Sequence, residues 1–149
     1  MSKVGRLQRF IMEQGMYTSF MIALVATTGS LYLSEVLGFI PCEFCWYQRI
    51  FMYPLVILLG IASVRKDLKQ TIYIIPLSAI GMGLAAYHYL LQKVPALSEV
   101  GKSCGLIPCN VDYLNWFGVI TIPMLAFIAF SLIFVIQLMI RWTVKQTHT

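Results

Sequence analysis

The chain has 149 residues, room for one domain. Hydrophobic residues make up 59% of it and charged residues 11%, less than half the ~25% charged of an ordinary soluble domain. A soluble fold of this size cannot hide so much apolar surface, which excludes a water-solvated globule and makes the bilayer the solvent for much of it. The net charge of +5 must then be explained by where the basic residues lie, and a nucleic-acid partner is not required.

Met16 to Ser34 is uncharged and close to the ~20 residues that a ~30 Å hydrocarbon core requires. It predicts a first helix over about residues 16–37. A basic start (Lys3, Arg6, Arg9) suggests a signal peptide, but the apolar run is too long and no A-x-A site follows, so the segment is expected to stay. The second helix is predicted over about 46–64, with Arg49 as its single charge before Arg65. The third, about 70–92, contains Pro76 and carries His88 near its far end. The fourth, about 117–140, contains Pro123 and ends at Arg141. Neighbouring helices can satisfy the backbone groups that the prolines free. Small residues four apart (Ala26 and Ser30, Ala79 and Gly83, Gly81 and Ala85) allow close helix approach, with packing as their role. The expectation is all-α, residues 1–149 forming one integral membrane four-helix bundle with both termini on one side.

The charges choose that side. Lys3, Arg6 and Arg9 precede helix one, Arg65, Lys66 and Lys69 lie between helices two and three, and Arg141 and Lys145 follow helix four. Positive residues accumulate on the cytoplasmic face. Both termini are therefore expected in the cytoplasm, with two loops outside a cell membrane. Aromatics near the predicted boundaries (Trp46, Tyr47, Tyr87, Tyr89, Trp116, Trp142) fit interfacial belts.

All four cysteines then fall outside the cytoplasm: Cys42 and Cys45 in the first outer loop, Cys104 and Cys109 in the second. An oxidising compartment is where disulfides persist. Two structural staples are one reading, although short loops gain least from a disulfide. A Cys₄ zinc site is a second. A pair of exchanging dithiols is the third, because Cys-x-x-Cys lowers a thiol pKa and suits two-electron transfer. Pro41 suits a first helical turn, which places Cys42 at the start of helix two, where the positive helix end favours a thiolate. Cys42, Cys45 and Arg49 are spaced to share one face. Arg49 lies sixteen residues before Arg65, about 24 Å of helix, and His88 about 27 Å up helix three, so both are expected near the outer edge of the hydrocarbon. Ionisable residues at that depth are candidate site residues, and below a dithiol they could bind the carbonyl oxygens of a lipid-borne redox cofactor. A snorkelling anchor at Arg49 and a packed histidine at position 88 remain the plain alternatives.

Cys-Glu-Phe-Cys-Trp-Tyr-Gln-Arg (42–49), His88 in His-Tyr-Leu-Leu-Gln, and a second outer pair before Phe-Gly-Val-Ile-Thr-Ile-Pro resemble the disulfide bond formation protein B family. The short Cys104-x₄-Cys109 spacing looks most like its Gram-positive branch, BdbC. The resemblance implies a membrane thiol oxidase that reoxidises an extracytoplasmic thioredoxin-fold oxidase, similar to DsbA or BdbD, and passes the electrons to quinone. By that pattern all four cysteines are catalytic: Cys104 and Cys109 take electrons from the partner and Cys42 and Cys45 deliver them, with Cys45 facing the quinone. Arg49 and His88 would polarise the quinone oxygens. The branch implies menaquinone in preference to ubiquinone, and no metal. The four-residue spacing departs from the longer second loop of Gram-negative relatives and leaves the relay between the pairs open. A quinone or vitamin K epoxide reductase has similar architecture, but there the loop pair precedes the CxxC pair. A non-catalytic scaffold with staples or zinc is the alternative from another class.

Overall fold

A computed structural model describes residues 3–102, 105–109, 115 and 117–147. Among the described residues there is no strand. Four long helices are present, α1 (Lys3–Glu35), α2 (Glu43–Arg65), α3 (Thr71–Lys93) and α5 (Ile122–Thr147); the connections before α2 and α3 are short, and the long one before α5 carries the eight-residue α4 (Pro95–Lys102). Each long helix contains a segment long and apolar enough to cross a membrane.

Helix α1 packs on α2 and α5, and α3 packs on α2 and α5, so the four form a closed ring. Met16, Leu55, Leu59, Ile74, Phe130 and Ile133 fill its centre and are essentially inaccessible. The α3–α5 seam depends on Gly81: a Cβ there would enter the Phe130 ring. Gly83, also expected to help packing, has open space around it. One polar contact ties α1 to α5 inside the bundle, where Gln137 Nε2 donates to Ser19 Oγ at 3.1 Å and lies 3.4 Å from Met16 Sδ. At the basic end, Glu13 on α1 pairs with Arg9 (3.4 Å) and with Lys66 just after α2 (3.2 Å).

Local chemistry sets the helix ends. Lys66 closes α2 in the left-handed conformation, φ 53°, with its N–H on the Ala62 carbonyl. Asp67 then accepts from Lys69 N at 3.0 Å and starts the single 3₁₀ turn before α3. The last helix begins at Ile122, later than the 117 expected from hydropathy. Phe117 (φ 56°) and Gly118 (φ 73°) both have positive φ, which a right-handed helix excludes. Pro123 is then tolerated because first-turn N–H groups have no intrahelical acceptor. The first helix, in contrast, runs on past its apolar run to Lys3 and carries the basic residues Arg6 and Arg9 on its own first turns.

Helix α4 was not foreseen. Its signal is Pro95 at the first helical position, with Ser98 Oγ donating back to the Pro95 carbonyl at 2.8 Å and Lys102 paired with Glu99 at 2.7 Å. It matters because Leu97 packs over the cysteine cluster described next.

Candidate active site

Helix α2 opens on the first cysteine pair. Cys42 is the N-cap residue itself (φ −74°, ψ 174°) and Pro41 stands just outside the helix, not in its first turn as expected. The Cys42 side chain does not cap the helix. Its sulfur lies 3.3 Å from Cys45 Sγ, with Cys42 as the donor. That hydrogen bond, together with burial, pushes the Cys42 thiol up to about 12. The anticipated thiolate at Cys42 is thus not favoured, because its proton is held by the neighbouring sulfur in a buried site.

Residues 48 and 49 follow one turn further down, about 100° apart around the helix, and meet different neighbours. Arg49, 8% exposed, turns to α1, where Nε donates to Ser30 Oγ and Nη2 to the Ser30 carbonyl, both at 3.0 Å. Its guanidinium carbon lies 5.3 Å from the centre of the Trp46 ring. Gln48, 6% exposed, turns to α3, where its Nε2 is 3.1 Å from His88 Nδ1.

An apolar cavity of about 860 Å³ runs between α1, α2, α5 and the connection between α1 and α2. Cys45, Gln48 and Arg49 line it, with Gly29, Ser30, Ala126 and Ala129 among the other walls. That volume is of the size that takes a small organic ligand, about 300–1,000 Å³. His88 does not line it. The histidine is fully buried, its Nε2 3.6 Å from Cys42 Sγ and 3.1 Å from the Cys109 carbonyl oxygen. The Phe44 ring covers it at 5.7 Å. Arg49 and His88, expected to act together from matching depth, therefore meet different neighbours: Arg49 lines the cavity, whereas His88 adjoins it only through Gln48.

Cys109 is not on the surface, although its loop lies outside the apolar spans. It is 1% exposed and packs with Cys42 and Leu91, flanked by Cys45, Phe44, Leu97 and Ile107. Its carbonyl also accepts from Gln92 Nε2 at 3.4 Å. Cys104 lies outside the described residues. The donor atoms of Cys42, Cys45 and His88 fall within 4.8 Å of one another, which only a thiophilic cation would exploit. To bind one, His88 Nε2 would have to leave the Cys109 carbonyl. Sequence reasoning gave no role to Gln48, although it stands beside Arg49, and treated Ser30 only as a small packing residue.

The chain matches the family model described as disulfide bond formation protein DsbB over residues 13–140. It is 51% identical to the probable disulfide formation protein C 1 of Bacillus anthracis, over 79% of this chain and 85% of that one. It is 49% identical to the disulfide bond formation protein C of Bacillus subtilis (85% and 91% covered) and 43% identical to the SPbeta prophage-derived disulfide bond formation protein B of the same organism (80% and 80%). No solved structure matches it significantly. With two cysteines facing each other at the head of a membrane-spanning helix and a third packed upon them, this multi-pass membrane chain belongs to the disulfide bond formation protein DsbB family and is a thiol–disulfide oxidoreductase of disulfide formation.

Proposed function

We propose that the chain is a quinone-dependent thiol oxidase that reoxidises an extracytoplasmic thioredoxin-fold disulfide oxidase. One observation carries this reading: the same dithiol borders two routes. Cys45 lines the apolar cavity beside Arg49, while Cys42 packs against Cys109 from the second outer loop.

The sulfur chemistry follows in balanced steps. The partner's two thiols reduce the Cys104–Cys109 disulfide and become a disulfide themselves. The Cys109 thiolate then attacks Cys42 of the Cys42–Cys45 disulfide. The Cys109–Cys42 bond forms, and Cys45 leaves as thiolate with the bonding pair. Attack of Cys104 on Cys109 restores the outer disulfide and releases Cys42. Two electrons have then moved from the partner to the inner pair. A quinone at the cavity supplies the two-electron, two-proton acceptor for closing Cys42–Cys45 again.

The cavity fits such a group. Its walls are apolar, and two of the five N–H donors of the Arg49 guanidinium are held by Ser30, leaving three for a carbonyl oxygen. Menaquinone is the expected quinone in preference to ubiquinone, the cysteine loops are extracytoplasmic, and both termini are cytoplasmic. The packing of Cys109 also offers an answer to how a short second loop relays electrons: it needs little movement to reach Cys42.

The test is to purify the protein in detergent, extract and identify co-purifying quinone, and follow its reduction by a thioredoxin-fold dithiol. Quinol formed in step with partner disulfide supports the reading. A protein that exchanges thiols but never reduces quinone would overturn it.

A further inference from the structure

The two ring nitrogens of His88 are assigned independently, and the assignments agree. The Gln48 amide nitrogen can only donate, so Nδ1 at 3.1 Å must be bare. The Cys109 carbonyl can only accept, so Nε2 at 3.1 Å must carry the proton. His88 is therefore a neutral imidazole whose Nε2–H points between the Cys109 carbonyl and Cys42 Sγ, the latter 3.6 Å away. Burial to 1% exposure and the Phe44 ring hold it there. No part of the residue lines the cavity beside Cys45 and Arg49.

We propose that His88 serves the exchange between the two cysteine pairs and not the quinone: its Nε2–H fixes the Cys109 backbone over Cys42 and stabilises Cys42 as it leaves as a thiolate. Gln48 is the positioning residue that holds the ring in this tautomer. The proposal rests on the relay described above. When Cys104 attacks Cys109, the Cys104–Cys109 bond forms, the Cys109–Cys42 bond breaks, and Cys42 takes the electron pair. At that moment the Nε2–H strengthens its hydrogen bond to sulfur. No proton leaves the ring, because a neutral imidazole that gave up this proton would become an anion. Arg49, which lines the cavity, is left to act there.

Two measurements on the full-length protein in detergent test this. The first is quinone-independent: titration of Cys42 by ultraviolet thiolate absorbance in a Cys45→Ala/Cys104→Ala/Cys109→Ala background, where backbone position 109 keeps its carbonyl. The groups that act on the Cys42 sulfur are Cys45, removed in this background, and His88. Adding His88→Ala should raise the midpoint by about one pH unit or more, the loss of one hydrogen bond to a charged group. Gln48→Leu should raise it less, because the ring can still sample the right tautomer. His88→Gln, which restores an N–H, should recover part of the shift and guards against simple misfolding. The second uses the four-cysteine protein with dithiothreitol as donor and menadione as acceptor. His88→Ala should lower kcat about 10-fold or more, with the KM for menadione within about two-fold of the parent. An unmoved Cys42 midpoint, or a raised KM at unchanged kcat, would overturn the proposal and return His88 to the quinone. If the parent protein reduces no menadione, the quinone reading fails on its own, while the Cys42 titration still decides the role of His88.

Discussion

Replacing Arg49 tests the quinone site most directly. The side chain is almost fully buried, and two bonds of 3.0 Å to Ser30 anchor it against α1. A hydrogen bond from a charged donor contributes about 1.5–3 kcal/mol. At 1.4 kcal/mol per tenfold, its loss from bound quinone raises KM about 10- to 100-fold in Arg49→Ala. Arg49→Lys keeps the charge but not the planar fork that grips Ser30 on two atoms, so its KM should fall between the parent and Arg49→Ala. Ser30→Ala removes the hydroxyl anchor and leaves the carbonyl one, so the guanidinium loosens without leaving. That bond acts on the quinone only through the placing of the guanidinium, which the carbonyl bond still holds, so KM should rise less than in Arg49→Ala, about five-fold for a loss of about 1 kcal/mol in donor placement. The assay is the initial rate of menadione reduction at saturating reduced dithiol, normalised to folded protein in detergent. The order Arg49→Ala, Arg49→Lys, Ser30→Ala in falling KM is the signature of a donor positioned by α1. A fall in kcat at unchanged KM for Arg49→Ala, or a Ser30→Ala defect equal to it, would refute the reasoning.

Gly29 lines the cavity and has open space where a Cβ would stand. Gly29→Leu should therefore leave the fold intact, with helix propensity improved by about 0.8 kcal/mol, yet raise the menadione KM by occlusion; normal kinetics would remove the cavity from consideration. Gly81→Ala should lower stability by about 1–3 kcal/mol through overpacking against Phe130, read as a lower Tm in detergent, whereas Gly83→Ala should not. Cys109→Ala should trap a covalent complex between Cys104 and a thioredoxin-fold partner on a non-reducing gel; trapping at Cys42 or Cys45 instead would reverse the order of the pairs. Membrane-impermeant thiol labelling of reduced, intact cells should reach the cysteine loops, and labelling only after permeabilisation would invert the topology.

The four spans, their grouping of basic residues at one end and the cysteines at the other were legible because each is a property of consecutive residues. An uncharged run of bilayer length needs no partner to be recognised. The placing of Cys42, Cys45 and Arg49 at the head of α2 was legible for the same reason, since helical spacing is local. What lies opposite each side chain was not legible. In a membrane helix nearly every face is apolar, so periodicity does not say which neighbour covers which face. Equal depth therefore suggested that Arg49 and His88 converge, while the ring of helices sends Arg49 to Ser30 on α1 and brings His88 to Gln48, Cys42 and Cys109. The loop cysteine was expected within reach of a soluble partner, yet Leu91 and Leu97 close over Cys109. That burial arises from contacts between α2, α3 and the connection that carries α4, residues far apart in the chain. Only the closed bundle brings them together, and with them the distance between the two cysteine pairs on which electron transfer depends.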